Sequence, residues 1–128
     1  MSVDSSVYSE LKDNFSCEKI ISLDHSIRFV GVCSTGGLLL DFKYRDDIHP
    51  LLSDDMLKKS IKKSALRHVS REENIGDMGI PLYSITSYEN VKRATIPLDD
   101  ELLLLVSFEQ NKDEVKIIKK ILDNMHKD

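Results

Sequence analysis

Residues 27–42 of the chain read IRFVGVCSTGGLLLDF, and this stretch predicts a β-hairpin. Ile27–Ser34 is rich in the β-branched and aromatic residues that favour strands. The adjacent glycines Gly36 and Gly37 permit the positive φ angles that a tight hairpin turn requires. Leu38–Phe42 is then the return strand of the hairpin.

A run of apolar residues further along the chain predicts the centre of the sheet. Leu102–Val106 is uninterrupted over strand length, which is typical of a strand covered on both faces. Turn residues on both sides argue against a helix of leucines there. The predicted fold is α+β, with a single five-stranded antiparallel sheet, helices on both faces and the order α-β-β-α-β-β-β-α. The predicted helices are Ser5–Ser22, Asp54–Glu72 and Lys112–Met125, and the predicted strands are Ile27–Ser34, Leu38–Phe42, Pro81–Ser87, Val91–Ile96 and Glu101–Phe108.

Length and composition restrict the class of protein. A chain of 128 residues predicts one domain over residues 1–128. With 41% hydrophobic and 31% charged residues, it has the composition of a folded globular protein. A formal net charge of -4 argues against a general nucleic-acid binder. The N-terminus lacks a signal-peptide pattern, and no apolar run approaches the ~20 residues of a membrane span, so we expect a cytoplasmic protein without a membrane partner.

Residues that carry chemistry do not form a recognisable catalytic pattern. Cys17 and Cys33 are interpreted as reduced, buried thiols, with a disulfide between them as the alternative. The four histidines are scattered, and none lies three or four residues from another histidine or a cysteine, so no metal site is predicted. Neither a nucleophile–base pair nor a phosphate-binding loop is present in the sequence. We therefore predict a non-enzymatic protein with no catalytic residue, metal or cofactor.

The second helix has the clearest charge asymmetry in the chain. Six basic residues and no acidic residue lie between Lys58 and Arg71. Four of them follow one another at intervals of four residues, opposite the apolar face of the helix. We predict that this basic stripe binds a protein partner, with an ordinary solvated helix face as the alternative. No aromatic residue interrupts the stripe, so stacking on nucleic-acid bases is not supported. The residues of the basic stripe are Lys59, Lys63, Arg67 and Arg71.

Several stretches together resemble the roadblock-type domain of the profilin-like group, and the small uncharacterised roadblock-like proteins of archaea. The resemblance spans nearly the whole chain, and its motifs are structural. It implies a domain that dimerises through an edge strand and the second helix, so that two sheets continue into one. It also implies a regulatory platform for small GTPases or a scaffold, without catalytic residues. The stretches that carry the resemblance are Ile27–Val32, Thr35–Leu38, Ala65–Arg67, Ile96–Leu98, Leu104–Ser107 and Lys119–Leu122.

The strand predicted over Pro81–Ser87 supports self-association independently. It has few charges, and in the fold that the resemblance implies it is an outer strand, whose open edge invites pairing with a second copy. His68 lies on the apolar face of the second helix and is interpreted as a core or interface histidine. We predict a homodimer interface that contains His68, Leu82, Tyr83 and Ile85.

Two functions from different classes remain at this point. The first is a dimeric interaction module that binds a small GTPase or another protein through the second helix and the joined sheet. The alternative is a small-molecule sensor similar to a GAF or PAS domain, which binds ligands between a five-stranded antiparallel sheet and its helices. The length of the chain argues against the sensor, because it leaves little volume beyond the core.

Overall fold

The structure, a computed structural model, describes residues 16–73 and 76–125. The described residues form three α-helices and five strands in the predicted order, and Ser5–Phe15 of the predicted first helix lies outside them. A short 3-10 helix, Gly76–Met78, follows the second α-helix. The α-helices are α1 (Cys17–Ile21), α2 (Asp54–Glu73) and α3 (Glu114–Met125), and the strands are β1 (Ile27–Ser34), β2 (Leu39–Tyr44), β3 (Ser84–Ser87), β4 (Val91–Pro97) and β5 (Leu102–Glu109).

All neighbouring strands of the sheet run antiparallel, in the order β2-β1-β5-β4-β3. Val106 of β5 lies opposite Val30 of β1 on one side and opposite Ala94 of β4 on the other. Every residue from Leu102 to Phe108 is buried. The prediction that the leucine run forms a central, doubly covered strand is therefore confirmed.

The helices pack on both faces of this sheet, as predicted. On one face, Ile20 of α1 and Ile121 of α3 pack with alternate residues of the strands, such as Val30 and Leu104. On the other face, the apolar side of α2 covers β1 and β5. The residues of this second core are Phe29, Cys33, Leu57, Ile61, Ala65, Leu103 and Leu105.

The third strand is shorter than predicted, because it begins at Ser84 instead of Pro81. Ser84 lies opposite Thr95 of β4, and the same register would place Leu82 opposite Pro97. Proline has no N–H to donate, so the ladder between the two strands loses a donor at that point. β2 is also displaced, to Leu39–Tyr44, and Leu38 directly before it belongs to no strand.

The turn between β1 and β2 depends on one of the two glycines that predict it. Only Gly37 has a positive φ, of 91°. The N–H of Leu38 donates to Oγ of Ser34 across the turn at 3.1 Å. A Cβ atom on Gly37 would lie 3.0 Å from the Cα atom of Lys62, so this glycine also lets the turn pass close beneath α2.

We expect Gly37→Ala to lower the free energy of unfolding by about 1–3 kcal/mol, because it combines a left-handed backbone with a close contact to a helix backbone. Gly36→Ala is the matched control. Its added Cβ would meet only Oγ of Ser34, at 3.6 Å, and Gly36 needs no positive φ. Urea denaturation of both variants measures the difference, and equal stabilities would contradict this account of the turn.

A carboxylate between α1 and β1 ties that connection to the C-terminal helix. Asp24 accepts hydrogen bonds from the backbone N–H of Ser26 at 2.9 Å and from its hydroxyl at 2.6 Å. Nζ of Lys120 donates to the other carboxylate oxygen at 2.7 Å. The bond from Lys120, followed by those from Ser26, holds the pKa of Asp24 well below its ordinary value of 3.8.

We expect Asp24→Asn to lower the free energy of unfolding by about 1 kcal/mol at pH 7, because it removes the ion pair with Lys120. The expected loss is small because this ion pair is partly solvated. A lowered pKa in the folded state stabilises the fold at pH values above the ordinary carboxyl pKa. The difference between the wild type and the variant should therefore shrink as the pH falls below about 4. Urea titrations over this range test it, and a difference that grows in acid would contradict the assignment.

Candidate functional site

The basic stripe lies on a helix whose start and buried face are well defined. Oγ of Ser53 accepts the N–H of Met56 at 3.2 Å, and Asp54 and Asp55 occupy the first turn, where the helix dipole favours carboxylates. Leu57, Ile61, Ser64, Ala65 and His68 are buried. Of the four predicted partner residues, Lys59, Lys63 and Arg71 are exposed and Arg67 is half-buried.

A groove of about 590 Å³ runs along one side of α2, between the helix and strands β1, β4 and β5. Three residues of the basic stripe line it, namely Lys59, Lys63 and Arg67, whereas Arg71 does not. The α2 residues that line the groove run from Met56 to Arg67, and a helix rises ~1.5 Å per residue. These residues are therefore spread along the helix axis, and the groove has two distinct ends. The end near the helix N-terminus is apolar, and its lining includes Tyr44, Ile48, Leu51, Leu52 and Met56.

Arg93 of β4 lies on the sheet side of the groove and is 8% exposed. Its Nε donates to Oγ of Ser107 at 3.4 Å, and its Nη1 donates to Oγ of Ser60 on α2. Within residues 16–73 and 76–125, no carboxylate forms an ion pair with it. Burial, and then the positive charge of Arg67, lower the pKa of Arg93 from its ordinary value.

Sequence reasoning missed Arg93, although the sequence contains a signal for it. Strand residues alternate between the two faces of a sheet, so Ala94 and Ile96 share one face while Arg93 and Thr95 share the other. A charged residue on the second strand from an edge is unusual at such a position. It predicts a polar site on that face of β4, but not which helix residues meet it there.

The residues predicted for self-association occupy different environments. Leu82 and Tyr83 precede β3 and are 73% and 45% exposed. Ile85 is half-buried against the core that contains α1 and α3. His68 is buried inside the chain, where its Nε2 lies 2.5 Å from Oε1 of Glu72 without alignment for a hydrogen bond. The roles of these residues in self-association stay predictions.

Leu82 and Tyr83 belong to a longer exposed stretch, which we call the apolar segment. It joins α2 to β3, and two further large apolar side chains in it, Met78 and Ile80, are 84% and 68% exposed. Leu66 on α2 is also largely exposed. Large apolar side chains concentrated next to a sheet edge are typical of an interaction surface. The apolar segment consists of Met78, Ile80, Leu82 and Tyr83.

The cysteines lie on opposite faces of the sheet, Cys17 in the core with α1 and Cys33 in the core with α2, and no disulfide joins them. Burial raises the pKa of Cys33 to about 12, so the thiol stays protonated and is a poor nucleophile at neutral pH. Across the described part of the chain, no group of three His, Cys, Asp or Glu side chains is arranged to hold a metal ion. No helix within the same residues has the length and apolar character needed to cross a membrane.

Comparison with known proteins gives matches at the level of structure only. No protein-family model matches the chain, and no curated protein is significantly similar to it in sequence. A solved MglB, described as having a tetrameric arrangement, superposes with a TM-score of 0.74 at 12% identity, over 98% of this chain and 90% of the other. The gliding protein MglB from Thermus thermophilus gives a TM-score of 0.73 at 12% identity, over the same shares.

A third solved structure is a Roadblock/LC7 domain from Streptomyces avermitilis. It superposes with a TM-score of 0.68 at 11% identity, over 85% of this chain and 88% of that domain. Likeness at such low identity establishes the fold, while the predicted likeness to archaeal proteins stays a prediction. The five-stranded antiparallel sheet and its helices thus have the roadblock/LC7 fold, as the sequence predicts.

Proposed function

We propose that the protein is a non-enzymatic interaction module that forms a homodimer and acts as a regulatory platform for a small GTPase. The observation that carries this proposal is the unguarded edge of β3, which adjoins the exposed apolar segment in a roadblock/LC7 fold. The proposal places the protein in the cytoplasm, a reducing compartment in which a buried thiol such as that of Cys33 stays reduced.

Of the two edge strands of the sheet, β2 carries residues that discourage strand pairing and β3 does not. β2 carries Asp41 and Lys43, and charged residues on an edge strand oppose the addition of another strand. β3 consists of Ser84–Ser87 and carries neither a charge nor a proline. Pairing with another sheet is therefore favoured at β3.

The apolar segment gives such pairing a source of free energy. Leu82 and Tyr83 directly precede β3, so a twofold axis at this edge would bring the apolar segments of two copies close to it. Burial of a large apolar side chain contributes about 1.5–3 kcal/mol. The resemblance to roadblock domains also implies dimerisation through the edge strand and the second helix.

The basic stripe on α2 is the proposed face for the partner. Its cations stand out on a chain of net charge -4, and none of the four forms an ion pair with another described residue. An acidic surface on the partner would complement them and accelerate association. That the partner is a small GTPase follows from the resemblance to roadblock domains.

We expect Leu82→Glu to weaken the homodimer at least about tenfold, because the variant removes apolar contact and places a charge at the interface. Val115→Glu is the matched control, since Val115 is 68% exposed on α3, which packs on the opposite face of the sheet from α2. Light scattering after size-exclusion chromatography, over a dilution series, gives the dissociation constants. A monomeric wild type, or an unchanged dimer of Leu82→Glu, would refute pairing at this edge.

We expect charge reversal at both Lys63 and Arg67, by substitution with Glu, to weaken binding of the partner GTPase at least about tenfold. Binding is measured by interferometry with each small GTPase of the source organism, loaded with GDP or with a GTP analogue. The same double reversal at Lys116 and Lys119 on α3 is the control.

The oligomeric state of the Lys63 and Arg67 double variant is measured in parallel. Loss of the dimer would place this part of the stripe within the dimer interface. If partner binding and dimerisation both survive the double reversal, the basic face is not the binding surface. If no GTPase binds the wild type, the platform function is refuted while the dimer is still tested by Leu82→Glu.

A further inference from the structure

We propose that the groove beside α2 is a binding site for a small organic phosphate. The phosphate would bind between Arg93 and the basic residues of α2, and the organic portion would lie against the apolar end of the groove. Such binding requires neither the dimer nor the GTPase.

Arg93 supplies the anchor for the phosphate. Buried cations are ordinarily paired with a carboxylate or another anion, because desolvation of an isolated charge is costly. Arg93 is 8% exposed, and its hydrogen-bond partners in the described chain are the hydroxyls of Ser60 and Ser107. These hydroxyls hold the guanidinium between α2 and β5 without neutralising it. Guanidinium has five N–H donors, so donors remain for a bidentate contact with phosphate.

The side of α2 that lines the groove adds further positive charge near Arg93. Lys59, Lys63 and Arg67 line the groove and form no ion pair with any described residue. Glu89 is the one carboxylate residue among the lining residues. Arg28 also lines the groove, but it forms an ion pair, with its Nη1 3.2 Å from Oε1 of Glu109. A concave surface with such a charge excess concentrates anions.

The apolar end of the groove favours an organic phosphate over the free ion. Tyr44 and Leu52 form part of this end, and Leu51 and Met56 extend it with side chains that are more than half exposed. A volume of about 590 Å³ lies within the ~300–1,000 Å³ typical of small-molecule sites. The chain therefore leaves more room for a ligand than its length leads one to expect.

Phenyl phosphate is the probe for this site, because it joins one phosphate to one ring. Calorimetric titration should give saturable binding at one site per chain, tighter than that of inorganic phosphate or of phenol. Benzoate separates the two classes of anion, and binding as tight as that of phenyl phosphate would overturn the assignment to phosphates. The expected changes in amide NMR shifts centre on Ser60, Arg93 and Ser107.

Two variants test Arg93 on β4 and the basic residues of α2 separately. Arg93→Gln and Lys63→Gln should each weaken phenyl phosphate binding about ten- to a hundredfold, since each removes a charge-assisted hydrogen bond. Lys63 is exposed, so its variant remains informative if Arg93→Gln does not fold. Lys58→Gln is the matched control, because Lys58 is exposed on the same helix and does not line the groove.

The proposal would also be overturned by the absence of saturable binding, by NMR shifts scattered over the surface lysines, or by an equal loss of affinity in Lys58→Gln. The titration is repeated on Leu82→Glu. Binding that is retained there supports a site within one chain, and binding that is lost with the dimer contradicts it.

Discussion

The central position of β5 is the constraint on which the rest of the structure depends. This strand is hydrogen-bonded on both sides and covered by helices on both faces, so every residue from Leu102 to Phe108 is buried. An unbroken apolar run can occupy such a place, whereas an alternating strand would bury polar groups on one face. With β5 at the centre, β1 and β4 flank it, and β2 and β3 form the two edges.

The position of α2 over one side of the sheet determines where a binding site forms. Its apolar residues pack against β1 and β5, and Ser60 of α2 accepts a hydrogen bond from Arg93 of β4. The register places Arg93 opposite Ser107 and Thr86 on this face, so the surface beside α2 is polar and positively charged. β3 lies beyond β4 at the edge of the sheet, so its outer backbone groups have no neighbouring strand among the described residues.

The elements set by local pattern could be predicted from the sequence. The hairpin around Gly37 and the buried strand at Leu102–Val106 each depend on residues adjacent in the chain, and so does the length of α2. The predicted start of β3 was wrong because it depends on Pro97, which lies opposite only after β3 and β4 have paired. Arg93 was missed for a related reason, since its environment is set by Ser60 and Ser107, which are distant in sequence. Side-chain exposure in the apolar segment likewise follows from tertiary packing.

The contrast between the two sheet edges has a consequence for the size of an assembly. If two chains join at β3, both ends of the continuous sheet are β2 strands, and these carry Asp41 and Lys43. A third chain that approached either end would meet charged side chains where it needs backbone partners. In such a dimer, growth by strand addition would stop at two chains, and the uneven distribution of charge between the edges would oppose the formation of open-ended fibres.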